Sequence, residues 1–407
     1  MSVTSVKSRK IPLTGAEAVA EAMRQIKPDV VAAYPITPQT PIVEIFSKFA
    51  ADGLVDTEVV TPESEHSAIS IVTAASASGA RAMSASASQG LALMVEVLPA
   101  TSGLRLPVVM AIANRALSAP INIHCDHSDM MAVRDLGWIE IFSENAQEAY
   151  ENMFLAVKLS ENPDVLLPSM VGLDGFIISH GVEVVEIFDD EVMYNFVGQR
   201  KPYFSLFDFE NPITIGPLQL TDYYFETKKQ EQEAMKHALK LYLEVGKELS
   251  KITGRDYPYF EKYYLDDAEV AIVVMSSTAG TAKDVVDELR REGKKVGLLK
   301  PKLYRPFPYD EYRETLKNLK AIGVLDRAYS FGANAPLYSD VRNALYDLDK
   351  KIPIQSYIFG LGGRDIFKQQ IKDVFIELLS GKISKEEKCI GLREWGDYKW
   401  KLKQLEI

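Results

Sequence analysis

Val30-Val-Ala-Ala-Tyr34, followed at once by Pro35-Ile-Thr-Pro38, decides the fold class of this chain. A short apolar run closed by prolines reads as a strand buried on both faces. Pro38 suits a first helical position with Thr37 as its cap, which predicts a helix through Phe49. Upstream, Thr14-Gly-Ala-Glu17 has capping-box spacing and opens an alanine-rich helix to about Gln25. Downstream, Thr57–Val60 reads as a strand, Ser67–Ala80 as a helix of small residues and Arg81–Ser86 as a strand. A helix over Leu91–Ser102 and a strand over Leu106–Ile112 follow. This alternation predicts an α/β fold, a doubly wound parallel sheet with helices on both faces.

From Asp190 to Pro217 the pattern gives way to an aromatic, proline-containing stretch. Met235, Ala238, Leu239, Tyr242, Val245 and Leu249 then recur at helical spacing and predict one long amphipathic helix over Glu226–Ile252. A second α/β unit follows, with strands over Val270–Met275, Lys295–Leu299, Ala321–Leu325 and Ile354–Ile358 and a helix over Thr281–Glu292. The expected organisation is a mobile arm (1–11), a first domain with a C-terminal extension (12–225) and a helical linker (226–265). A second domain (266–383) and a charged tail (384–407) carrying Trp395 and Trp400 complete it, the tail lying on a partner or over the surface.

Composition narrows the function. The 407 residues suit two or three domains of about 150 each, and 47% hydrophobic residues can fill their cores. A net charge of −11 argues against a nucleic-acid partner, which needs basic patches. Cys125 and Cys389 are too few for a disulfide framework or for the four thiolates of an iron–sulfur cluster. No apolar stretch approaches the roughly 20 residues of a membrane span. The polar, basic Met1–Lys10 lacks the apolar centre of a signal peptide, so a cytoplasmic, membrane-free setting is expected.

Several short segments could carry chemistry. The Tyr34–Pro38 turn follows a strand, where ligands collect in open α/β sheets, and offers a hydroxyl and free N–H groups; it reads equally as a proline-punctuated cap. Glu63-Ser-Glu65-His66 could be an acid–base pair or simply the acidic start of a helix. Arg115 could bind a carboxylate bidentately or be a loop arginine. Asp126-His127-Ser128-Asp129 has metal-ligand residue types, but near-adjacent side chains diverge, so a hydrogen-bonded loop network is expected and no metal is assigned to this chain. Gly360-Leu-Gly-Gly-Arg364 follows a strand without matching a nucleotide fingerprint and reads as a tight turn.

Taken in order, Tyr34-Pro-Ile-Thr-Pro38, Glu63-Ser-Glu65-His66-Ser-Ala68, Ser88-Gln-Gly-Leu-Ala-Leu-Met94, Asn114-Arg-Ala-Leu-Ser-Ala-Pro-Ile-Asn122 and Asp126-His-Ser-Asp129 resemble the alpha subunits of pyruvate:ferredoxin oxidoreductase (pyruvate synthase), in the 2-oxoacid:ferredoxin oxidoreductase family. Arg134-Asp-Leu-Gly-Trp138, Asp174-Gly-Phe176, Tyr304-Arg-Pro-Phe-Pro308 and Gly360-Leu-Gly-Gly363 extend the resemblance, which runs from about residue 12 to about residue 380.

The resemblance implies a pyrimidine-type thiamine-diphosphate-binding domain and a second domain like the C-terminal domain of transketolases. It implies a beta subunit holding the diphosphate and Mg2+, and gamma and delta subunits holding iron–sulfur clusters. Ferredoxin, coenzyme A and pyruvate complete the expected partners. In agreement, Leu173-Asp-Gly175 lacks the first glycine of a Gly-Asp-Gly diphosphate cradle. By the family pattern Glu65 activates the cofactor's aminopyrimidine, Pro35, Ile36 and Gln89 join it against the cofactor, and Thr37 and Arg115 hold the substrate. The oxalate-type relatives carry arginine where Thr37 stands, so a small monoacid is favoured over a dianion. Ile123-His124-Cys125 departs from the pattern of many pyruvate-type relatives, which bears on side-chain specificity. An oxidoreductase for another 2-oxoacid, branched-chain or oxalate, and a non-catalytic assembly subunit of such a complex are the alternatives.

Overall fold

The structure, a computed structural model, describes residues 7–384 and 386–393. Strand β1 (Ser8–Thr14) leads into α1 (Gly15–Ile26), whose capping box forms as expected: Thr14 Oγ1 accepts from Glu17 N, and Thr14 N donates to the Glu17 carboxylate. Then come β2 (Val30–Ala32), α2 (Thr40–Ala51), β3 (Glu58–Val60), α3 (Glu65–Ala77) and β4 (Ala82–Ser86). Short helices α4 (Ser88–Leu93) and α5 (Leu98–Gly103) precede β5 (Val109–Asn114). The first unit continues through α6 (Ser128–Val133), β6 (Ile139–Phe142), α7 (Ala146–Ser160), β7 (Ser169–Asp174), β8 (Val182–Phe188) and α8 (Asp190–Val197). Helix α9 (Tyr224–Thr253) then leads into β9 (Phe260–Tyr263), β10 (Val270–Val274), α10 (Thr278–Arg291), β11 (Val296–Pro301) and β12 (Leu303–Arg305). The chain closes with α11 (Tyr309–Leu316), β13 (Ala321–Asp326), α12 (Pro336–Ala344), β14 (Ile354–Ile358), α13 (Lys368–Ser380) and β15 (Lys388–Cys389).

Two sheets result. The first has seven strands in the order β12-β6-β7-β5-β4-β2-β3, parallel throughout except for β12. The second has the order β15-β14-β13-β10-β11-β9, parallel except for β9. All six residues of β5 and of β7 are buried, as the strands of a parallel sheet covered on both faces must be. Helix α7 buries residues all round because α1 and α9 pack on it as well as the sheet. Helix α9 lays Ala234, Ala238, Tyr242, Val245 and Leu249 inward, each large side chain contributing about 1.5–3 kcal/mol of burial.

Four expectations need correction. Residues 8–11 are not a mobile arm: they lie in β1, which pairs antiparallel with β8. The linker does not run to residue 265, because β9 joins the second sheet beside β11. The tail is not free of the domain from residue 384, since Lys388–Cys389 pairs with β14; Trp395 and Trp400 lie outside the described residues. Thr37 does not cap α2; Gln39 occupies the cap and Pro41 follows near the first helical position. In addition, the helix expected over Leu91–Ser102 is two pieces, with Pro99 at the start of the second.

The chain order places a crevice. From β2 it steps outward to edge strand β3, then α3 carries it back across β2 to β4. Between β2 and β4 the direction of winding reverses, and in open α/β sheets it is beyond the carboxyl ends at such a point that ligands bind.

Candidate active site

Four carboxyl ends meet around that crevice. The Tyr34–Thr37 turn follows β2, Glu65 opens α3 after β3, Ser88 and Gln89 follow β4, and Arg115 follows β5. Pro35 and Thr37 are exposed and Ile36 partly so; the Ile36 carbonyl accepts from Gln39 N and Thr40 N, which closes the turn on itself.

Glu65 sits at the first position of α3, where Ser64 caps by accepting from Ser67 N. It is buried, 7% exposed, yet its carboxyl group has no hydrogen-bond partner among the described residues. A neighbouring residue keeps the space beside it clear: a Cβ on Gly90 would lie 2.6 Å from Glu65 Oε1. Glu63 and His66 do not form an acid–base pair. Ser67 Oγ donates to Glu63 Oε1 at 2.5 Å, which holds that exposed carboxyl below its usual range, while His66 Nε2 meets Glu96 Oε2 at 3.1 Å.

Arg115 is 6% exposed and braced at two of its three nitrogens. Its Nε donates to the Asn122 carbonyl and its Nη1 to the Thr37 carbonyl, both at 2.9 Å. Thus the side chain reaches from β5 to the turn after β2, and the structure brings Arg115 and Thr37 together. Nη2 and the Thr37 hydroxyl have no partner among the described residues. Burial lowers the Arg115 pKa, with Asp129 opposing, but a guanidinium stays charged at any relevant pH. Gln89 is exposed, and its Oε1 accepts from Ser118 N at 3.1 Å, so it ties the β4 loop to the loop carrying Arg115.

Asp129 was the missed organiser. Its carboxylate accepts from Ser88 N (3.0 Å), Asn114 Nδ2 (3.0 Å), Arg115 N (2.9 Å) and Met130 N (2.8 Å). It therefore fixes the loops after β4 and β5 to the start of α6. Burial pushes its carboxyl pKa up, and the donors around it only partly offset this. The hydrogen-bonded network expected for Asp126–Asp129 is what the structure holds.

Cys125, His127 and Asp174 bring ligand atoms within 4.8 Å of one another, all buried. Cations and donors from the second domain already serve the carboxylate: Arg327 Nη1 lies 3.0 Å from Asp174 Oδ2, and Ser277 Oγ donates to the same oxygen. Burial opposes the Asp174 charge, but His127 and Arg327 outweigh it and hold the carboxyl well below its usual range. The group is an interdomain latch. Likewise Glu144, Glu148 and Glu261 surround Lys283, Lys300 and Lys302 rather than an open ion site. A surface cleft of about 970 Å³ between α9 and the 305–311 segment lies at the amino ends of the strands, away from all of these residues.

Residues 21–247 match the family described as "Pyruvate flavodoxin/ferredoxin oxidoreductase, thiamine diP-bdg", and residues 268–371 match "Pyruvate:ferredoxin oxidoreductase core domain II". The chain belongs to the pyruvate:ferredoxin oxidoreductase family. It is 55% identical to pyruvate synthase subunit PorA of Thermotoga maritima, over 95% of this chain and 98% of that one. Its fold is similar to that of 2-oxoglutarate:ferredoxin oxidoreductase from Magnetococcus marinus, with a TM-score of 0.74 at 18% identity over 91% of this chain. The chain spans 65% of that protein's length. A split-gene transketolase, matched at a TM-score of 0.53 and 12% identity over 90% of this chain and 98% of that one, shares the two-domain arrangement. This member of the family thus carries a thiamine-diphosphate-binding domain of the oxidoreductase type. No described helix is long and apolar enough to cross a membrane.

Proposed function

We propose that this chain supplies the pyrimidine side of a thiamine-diphosphate site in a cytoplasmic complex that converts pyruvate, coenzyme A and oxidised ferredoxin reversibly to acetyl-CoA, CO2 and reduced ferredoxin. One observation carries the reading: Glu65 is a largely buried residue whose carboxyl group, unpaired within the described residues, opens at the switch point and faces a position where only glycine fits. A carboxyl so placed can pair with an aminopyrimidine ring nitrogen, and once the cofactor excludes water such a bond is strong. When bound, the cofactor supplies the carbon nucleophile and takes up the charge left by decarboxylation. Glu65 holds a proton at the ring nitrogen and so favours the tautomer that can act as base.

Arg115, braced by two carbonyls, offers Nη2 to the substrate carboxylate, and the Thr37 hydroxyl offers a neutral donor beside it. One cation and one hydroxyl suit a monoacid. Pro35, Ile36 and Gln89 line the cofactor's side of the crevice. Asp174, in the string nearest to a Gly-Asp-Gly cradle, is committed to the latch, which supports a beta subunit as holder of the diphosphate and Mg2+; two cysteines leave the iron–sulfur clusters to gamma and delta subunits. Exposed Tyr34, Leu93, Val95, Ile121 and Ile123 follow the same carboxyl ends, Ile177 follows that of neighbouring β7, and together they give that partner an apolar rim.

The test is Glu65→Gln in the assembled complex. Pyruvate-dependent ferredoxin reduction should fall at least a hundredfold with the unfolding temperature unchanged; wild-type rates would overturn the reading. A panel of pyruvate, branched-chain 2-oxoacids and oxalate measured on the wild-type complex decides the substrate, with pyruvate expected to give the highest kcat/KM.

A further inference from the structure

The Gly360-Leu-Gly-Gly363 turn belongs to the second domain, yet it touches the loop that braces Arg115. Gly362 N donates to Asp126 Oδ2 at 3.2 Å, and Gly363 N donates to the Cys125 carbonyl at 2.7 Å. Asn122 answers from the first domain. Its Nδ2 donates to the Gly362 carbonyl at 3.0 Å, its Oδ1 accepts from His124 N at 2.7 Å, and its own carbonyl accepts from Arg115 Nε at 2.9 Å. The fit is tight on the glycine side. A Cβ on Gly362 would fall 2.4 Å from Asn122 Nδ2 and one on Gly363 2.3 Å from His124 Cβ, and both glycines have positive φ. The turn is in turn fixed to the latch, because Arg327 Nε donates to the Gly360 carbonyl and His127 N to the Arg327 carbonyl.

We infer that the second domain sets the substrate site from a distance: its glycine turn holds Asn122, and the Asn122 carbonyl aims Arg115. Asn122 is on this account a positioning residue for 2-oxoacid binding, acting only through Arg115. The inference rests on the reading of Arg115 as the carboxylate anchor. It explains why a glycine-rich turn with no nucleotide fingerprint sits at this interface. It also gives the second domain a task in substrate recognition besides packing. A guanidinium loses grip on a planar carboxylate when its fork tilts, because bidentate geometry is lost before charge is.

Asn122→Asp isolates the contact. It keeps the acceptor for His124 N, so the loop's own turn survives, but it removes the donor to Gly362 and sets a carboxylate against that carbonyl. In the assembled complex the variant should raise the KM for pyruvate about tenfold, change kcat less than threefold and leave the KM for coenzyme A unmoved. Binding of oxamate, an unreactive isostere of pyruvate, should weaken in parallel by calorimetry. The decisive measurement is the double variant with Arg115→Ala. If Asn122 acts only through Arg115, Asn122→Asp adds nothing to the loss of oxamate affinity that Arg115→Ala already causes. Additive losses overturn the inference, as does wild-type affinity in Asn122→Asp. If Arg115→Ala itself leaves oxamate binding intact, the anchor reading fails instead, and the two failures are thereby told apart. Should the aspartate variant not assemble, Asn122→Ala is judged by the same criterion of non-additivity.

Discussion

Gly90 lies inside α4, where alanine would ordinarily be favoured by about 1 kcal/mol. Here a methyl group would meet Glu65 Oε1 at 2.6 Å and Ser86 Oγ at 2.5 Å, so the carboxyl must swing away. Gly90→Ala is therefore expected to lower the complex's activity more than tenfold while its unfolding temperature moves by only a few degrees, the helical gain offsetting part of the clash. Unchanged activity would mean that the carboxyl does not need its present position. A second buried carboxyl behaves differently. Glu140 is fully buried in β6, both oxygens lack partners among the described residues, and burial pushes its pKa up to about 8 despite Arg305 and Arg134. The folded chain thus holds a proton that the unfolded chain releases above about 4.5. Stability is lost as pH rises from about 4.5 to about 8 and is level beyond, a cost of ~5 kcal/mol. Glu140→Gln should remove that slope, so its advantage in denaturant midpoint grows between pH 5 and pH 8; a gain equal at both would rule out this account.

The elements differed in how openly the chain declared them. The capping box of α1, the long stripe of α9 and β14 were legible because their signals are local: a side chain three residues from its partner, a repeat every three to four residues, a short apolar run. β12 was not, since Leu303–Arg305 gains its meaning only by crossing to pair with β6 of the other sheet. β1 was hidden likewise: its basic, exposed residues look like a loose terminus until β8, far along the chain, supplies the partner. The site divides the same way. Glu65, Thr37 and Arg115 lie at strand ends that the alternation locates, but nothing local says that Asp129 will gather four N–H groups from three segments or that Asn122 will meet a glycine turn 240 residues away. Asp129→Asn tests the former at the scale of the loops it joins. Swapping a carboxylate oxygen for an amide donor turns at least one of those N–H groups toward another donor. The expected loss is about 2–4 kcal/mol in stability, with faster hydrogen exchange confined to Ser88, Arg115 and Met130. Slow exchange at all three would remove its structural role.

At the scale of the molecule, the two sheets are held together by charges taken out of water rather than by apolar area alone. Asp174 of the first sheet meets Ser277 and Arg327 of the second unit. On the other side, Lys300 is 2% exposed and serves Glu144, Glu148 and Glu261 at once, with Lys283 and Lys302 completing three cations against three carboxylates. Burial alone would neutralise such groups. Instead Lys302 and Lys300 overcome it and hold the Glu148 carboxyl at about 2. A carboxyl depressed on folding stabilises above its unfolded value, about 4.5, and that contribution fades as pH falls through about 2. Lys300→Met keeps the stem's apolar packing and removes the central cation, leaving carboxylates buried against one another. Breaking a buried network from one side costs about 3–5 kcal/mol, more than the median exposed ion pair contributes. The loss should be largest at pH 7. At pH 4 the stranded carboxyls can take up protons, so the gap in unfolding temperature between variant and wild type should narrow. Calorimetry should also show the second sheet's unit melting apart from the first in the variant, where the wild type melts as one. A gap that is the same at pH 4 and pH 7, with a single transition in both proteins, would mean that apolar packing holds the units together and that the buried charges only fill the seam.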